Sequence, residues 1–138
     1  MTLDADVVRS RCQEIDQSLA RLDRIRSGGR ENFLASGDAQ DIACYRLLTA
    51  IEAALALCYH VSARRLRLAP EDYSGCFEEL EKAGLIPGLL SRRLQQMARF
   101  RNLLVHVYWT IDYGRVFDVL EHDLGDLREF SGIVASLM

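Results

Sequence analysis

Apolar residues recur along this chain at intervals of three and four, and no stretch shows the two-residue alternation of a half-buried strand. The pattern predicts an all-α protein. A first helix, roughly Thr2 to Arg26, carries Val8, Cys12, Ile15, Leu19, Leu22 and Ile25 on one stripe and is ended by Ser27-Gly28-Gly29. Arg30 to Gly37 reads as a connector with a short turn. A second helix runs from near Asp38 to about Arg67, with Ile42, Tyr45, Leu48, Ile51, Leu55 and Cys58 or Tyr59 on its apolar side, and Ala69-Pro70 stops it. The third, Tyr73 to Lys82, is short, faces inward through Tyr73, Phe77 and Leu80, and has Gly84 as its C-terminal stop. Pro87 suits the first turn of a fourth helix, which bears Leu90, Leu94, Met97 and Leu104 and extends to about Val107. Asp112 can cap a fifth, with Val116, Phe117, Leu120, Leu124, Leu127, Ile133 or Val134, and Leu137. Short connections between helices of this length favour an antiparallel up-and-down bundle of about four main helices, the third being a small excursion.

With 138 residues, 49% hydrophobic and 27% charged, the chain is expected to form one domain, 1–138, with a real core. No unbroken run of about 18 apolar residues is present, and Met1-Thr2-Leu3-Asp4-Ala5-Asp6 lacks the basic lead of a signal peptide, so a cytoplasmic location is expected. Cys12, Cys44, Cys58 and Cys76 are scattered without zinc-site spacing and read as small core residues. A net charge of -3 argues against a uniformly basic coat for bulk nucleic-acid binding. Its distribution is uneven: from Glu81 to Asp112 there is no intervening acid, while Lys82, Arg92, Arg93, Arg99 and Arg101 fall in that window.

Inside the window lies Arg99-Phe100-Arg101-Asn102-Leu103-Leu104-Val105-His106-Val107-Tyr108, which puts an arginine, an amide, an imidazole and a phenol within about two helical turns. Arginine can grip a phosphodiester with a fork of donors, and histidine can exchange a proton near neutrality. At 100 degrees per residue Arg101 shares the arc of Leu90, Leu94, Met97 and Leu104. Asn102 and His106, four apart, stack on another side with Gln95 and Arg99 nearby. A guanidinium in an apolar stripe requires an anion. Glu52, which interrupts the apolar centre of the second helix, is one candidate, and a ligand phosphate is the other. By the residues alone, an ion pair within a bundle and a phosphate site both remain open. His60 and His122 have no partner at recognisable spacing and are read as structural or surface residues; Tyr45, Tyr59 and Tyr113 are read as core or boundary aromatics.

The Arg-x4-His-x-Tyr arrangement of Arg101, His106 and Tyr108 resembles the signature of HepT-like toxins in the HEPN superfamily. The chain is also similar to that family through Leu47-Leu48-Thr49-Ala50-Ile51-Glu52-Ala53, Ala69-Pro70-Glu71-Asp72-Tyr73, and Tyr108-Trp109-Thr110-Ile111-Asp112. The resemblance implies a single HEPN domain acting as a homodimer and a metal-independent, cofactor-free endoribonuclease. Arg101 and His106 would act at the dimer interface, with Asn102 orienting the imidazole or a phosphate oxygen; Glu52 and Arg99 are candidate supporting residues by their positions in the sequence. It further implies an RNA substrate and a nucleotidyltransferase antitoxin of the MntA type that adenylylates Tyr108. Two readings of other classes stand beside it. One is a non-catalytic helical binding module or substrate-binding subunit of a nucleotidyltransferase; the other is a nucleotide-binding regulator using Arg101 for phosphate.

Overall fold

The computed structural model describes residues 2–106 and 110–138, with the side chain of His106 outside the description. Seven α-helices are present among the described residues: α1 (Ala5–Ser27), α2 (Arg30–Leu34), α3 (Gly37–Val61), α4 (Tyr73–Lys82), α5 (Gly88–His106), α6 (Tyr113–His122) and α7 (Leu124–Ser136). Several starts have a local cause. Asp4 caps α1 by accepting from the amides of Asp6 and Val7, Ser36 caps α3 by accepting from Ala39, and Asp72 and Asp112 do the same for α4 and α6. At the end of α4, Gly84 sits at φ 74° and the Leu85 amide donates back to the Leu80 carbonyl, a closure that favours glycine.

Several elements differ from the sequence expectation. The connector after α1 forms the short helix α2, whose Phe33 is buried against Phe117 and Tyr113. The expected fifth helix is two helices broken at Asp123. The break lets α6 contact α2 and α1 while α7 turns onto α1, α3 and α5. Periodicity does not reveal it because both halves keep the same apolar spacing. The end of α3 is also made differently: a π-helical turn, Ser62–Leu66, follows it, and Arg67 at φ 55° closes that turn before Pro70 is reached.

The largest correction concerns the face of α3. Ile42 and Tyr45, expected inside, are exposed, Tyr45 at 65%. The buried positions include Ala43, Leu47, Ala50, Ile51, Ala54, Leu57, Cys58 and Val61. Small residues count as core here because they let α1, the most extensive neighbour of α3, pack closely against it. Gly37–Leu66 is long and apolar enough to cross a membrane by length and composition alone, but half of its most apolar window is buried within the fold. Tyr59 and Tyr113 do sit at the boundary, Tyr59 edge-on to Tyr73 at 5.5 Å.

Cys58 and Cys76 are fully buried, as core residues would be, yet they also form a disulfide joining α3 to α4, which their scattered positions do not suggest. Cys12 and Cys44 are half-buried and free.

His122 is exposed, whereas His60 has a structural role. Its Nε2 accepts from the backbone amide of Asp4 at 3.0 Å and ties the start of α1 to the end of α3. Burial, with help from the Arg64 charge and against Asp4, lowers the His60 pKa. The unfolded chain therefore takes up a proton before the fold does. The stabilisation is fully present above the ordinary value of about 6.5 and is lost as pH falls through it towards the lowered folded value. Urea titrations at pH 8 and pH 5.5 should show a drop in stability for the wild type and a smaller drop for His60→Gln, which keeps an acceptor but cannot titrate.

Candidate active site at the end of α5

Helix α5 buries Leu90, Ser91, Leu94, Met97, Ala98 and Phe100, and this fixes which side chains its last turns carry outward. Arg101 continues the inner arc and remains only 20% exposed. The anion it requires is present. Its Nε donates to Glu52 Oε1 on α3, its Nη1 donates to Asn102 Oδ1 at 3.1 Å, and the guanidinium lies 5.6 Å from the centre of the Tyr73 ring on α4. Three helices thus position one side chain. The charge is offset by a carboxylate, and the flat faces of guanidinium and phenol favour stacking. Periodicity assigns Tyr73 to packing alone; its position beneath Arg101 depends on how α4 docks against α5 and is not legible in its spacing.

Glu52 and Asn102 are therefore brought together with Arg101. Glu52 keeps 41% of its side chain exposed, so the ion pair is wet on one side. Arg99 is not part of this cluster. It lines a cavity of 510 Å³ between α5, α6 and α7 with Arg93, Gln96 and Arg115. In that cavity Asp118, Asp123 and Asp126 face the arginines, so the positive window of the sequence is balanced there by the last two helices. Arg93 is 3.7 Å from Asp126, and burial raises the Asp126 pKa while Arg93 partly offsets that rise. Beside it, Arg115 stacks over Phe100 at 5.7 Å. The backbone of His106 closes α5 five residues after Arg101. Its side chain, together with Val107, Tyr108 and Trp109, lies outside the described residues.

The described residues form an all-α bundle in which an arginine-asparagine pair lies on a core helix that ends at a histidine five residues after Arg101. The chain belongs to the ribonuclease HepT-like family, whose model matches residues 15–133. It is 24% identical over 129 residues to the mRNA nuclease HepT of Shewanella oneidensis, covering 94% of this chain and 96% of that one. It is also similar to the solved structure of the tri-AMPylated Shewanella oneidensis HEPN toxin in complex with MNT antitoxin, with a TM-score of 0.88, 23% identity, and coverage of 96% and 99% of the two chains. A toxin–antitoxin structure with AMP-PNP matches with a TM-score of 0.85, 23% identity, and coverage of 95% and 99%. Family membership carries the activity class, ribonuclease, and these neighbours share the fold.

Because Glu52 is partly solvated, its pairing with Arg101 should be modest in energy and visible mainly as coupling. A double-mutant cycle with Glu52→Gln and Arg101→Gln, read by urea unfolding, should give an interaction energy on the order of 1 kcal/mol. Fully additive effects would mean that the two side chains do not constrain each other.

Proposed function

We propose that this protein is the toxin of a toxin–antitoxin pair, an endoribonuclease that cleaves RNA by attack of a ribose 2'-hydroxyl on the adjacent phosphate. The observation that carries the proposal is the guanidinium of Arg101, fixed by Glu52, Asn102 and Tyr73 and placed five residues before His106. A pre-oriented guanidinium can receive a phosphate without reorganising. It stabilises charge that builds on the non-bridging oxygens as phosphorus becomes five-coordinate.

His106 supplies the proton chemistry. A neutral imidazole takes the proton of the 2'-hydroxyl as oxygen attacks phosphorus, and an imidazolium returns a proton to the departing 5'-oxygen. The products are a 2',3'-cyclic phosphate and a 5'-hydroxyl. One protomer offers one such histidine, so a homodimer with two copies of His106 at a shared site would divide base and acid between them. DNA lacks the nucleophile and is not a substrate. In this scheme Asn102, already tied to Arg101, orients the phosphate or the imidazole. Arg99, which lines the cavity between α5, α6 and α7, is given no role in this clamp.

Arg101→Ala and His106→Ala should each lower RNA cleavage by about 100-fold or more while circular dichroism stays helical. His122→Ala and treatment with EDTA should leave cleavage unchanged. A fully active His106→Ala protein, or an activity abolished by EDTA, overturns the mechanism.

One of the similar proteins was solved as a tri-AMPylated toxin in complex with an MNT antitoxin. We extend this to Tyr108, whose phenol oxygen would attack the α-phosphorus of ATP on a nucleotidyltransferase antitoxin, releasing pyrophosphate. The bulky anion so attached would occupy the phosphate position beside Arg101. With the cognate antitoxin, ATP and magnesium, the peptide containing Tyr108 should gain one or more AMP units of about 329 Da, a mass set by the added group. Tyr108→Phe should stay toxic and escape modification. An unmodified Tyr108 in a neutralised toxin would show that the partner acts by occlusion.

A further inference from the structure

We propose that the exposed groove between α1 and α3 binds the backbone and one base of single-stranded RNA and leads it to Arg101. The proposal rests on the ribonuclease reading and adds to it a substrate track outside the catalytic cluster. Two cavities lie in sequence along this helix pair. The first, of 270 Å³, is lined by Gln17, Ala20, Arg21, Arg24 and Arg46, with three arginines and no acid. The second, of 410 Å³, reaches Glu52, the partner of Arg101.

The charges in this groove are already sorted. Of the two carboxylates lining the second cavity, Glu14 is held by Arg11 at 3.0 and 3.1 Å and Glu52 is held by Arg101. Arg21, Arg24 and Arg46 have no carboxylate within salt-bridge distance among the described residues. In a chain of net charge -3, three such arginines converging on one cleft form a local anion site. An aromatic platform adjoins it. Tyr45 is 65% exposed, and the Arg46 guanidinium lies 5.7 Å from the centre of its ring.

A positive groove beside an exposed aromatic is how proteins hold single strands: arginines track phosphates while a base stacks on the ring. Duplex RNA keeps its bases stacked on one another and would leave Tyr45 unused. From Arg11 to Arg24 the groove runs about 20 Å at 1.5 Å per residue, long enough for several nucleotides. Ala20, Thr49 and Ala56 keep its floor low.

The test uses a 2'-O-methyl oligouridylate of about ten nucleotides, which can bind but has no free 2'-hydroxyl to attack. Its dissociation constant is measured across a salt series for the full-length protein. Arg21→Ala/Arg24→Ala/Arg46→Ala should reduce the slope of log affinity against log salt by about 2, the value for three single-strand contacts at about 0.7 each. The matching lysine triple should restore it, and Tyr45→Ala should weaken binding about 5- to 150-fold. With cleavable RNA the alanine triple should raise KM and leave kcat unchanged. A dinucleotide substrate, too short to reach the arginines, should be cleaved as by the wild type.

An unchanged slope and affinity in the triple overturns the track. So does a triple that binds RNA normally but no longer binds the antitoxin, which would assign this face to a protein partner. A site for free phosphate or mononucleotide would instead bind AMP one-to-one and gain nothing from a longer oligonucleotide, which also overturns it. If the wild type binds the oligonucleotide with the expected slope but cleaves no RNA, the track stands and the ribonuclease mechanism falls.

Discussion

Helix α3 has to be covered along most of its circumference, and the rest of the bundle is arranged to do that. It buries ten side chains, several of them alanine, against α1, α4, α5 and α7. A helix this apolar would be insoluble alone, and burial of its surface at roughly 25 cal/mol per Å² is the main force assembling the fold. Close approach of α1 is possible because Ala43, Ala50 and Ala54 are small. Where coverage ends, α3 exposes Tyr45 and part of Glu52, and both of the proposed sites lie along that strip.

Burial also shapes the charge chemistry. Arg101 follows the inner arc of α5 because its neighbours Leu94 and Met97 must face the core, and its charge would be costly there without Glu52. The structural reading and the functional reading of this arginine are compatible. Glu52 makes the guanidinium tolerable at the edge of a core and in doing so fixes its orientation, and Tyr73 supports it from α4. A flexible surface arginine would have to be ordered by the substrate. This one is ordered by the fold, so in the proposed mechanism the entropy cost would be met before the phosphate binds.

Two clefts show why local charge must be judged in three dimensions. The cavity containing Arg99 is positive by sequence and is balanced by aspartates delivered by α6 and α7. The α1–α3 groove has no linear signature, since Arg21, Arg24 and Arg46 are separated along the chain and lie among acids there. Packing of two helices converges the arginines on the first cavity, which no acid lines, while the two acids of the second cavity, Glu14 and Glu52, are each paired with an arginine.

The sequence by itself determined the helical class, the span of α4, the caps at Asp112 and Gly84, and the candidate residues Arg101, Asn102 and His106, because these depend on local periodicity, turn chemistry and spacing within one helix. It also offered Glu52 as one of two candidate anions for Arg101, since a charge in an apolar stripe requires one, and the structure pairs the two. Only the tertiary structure decided which face of α3 is buried, where the last helical stretch breaks, that Cys58 meets Cys76, that Tyr73 lies under Arg101, and that Arg99 belongs to another cavity. Those outcomes depend on the distance and angle between helices, set by the sum of all side chains packed between them and not by the pattern along any one of them.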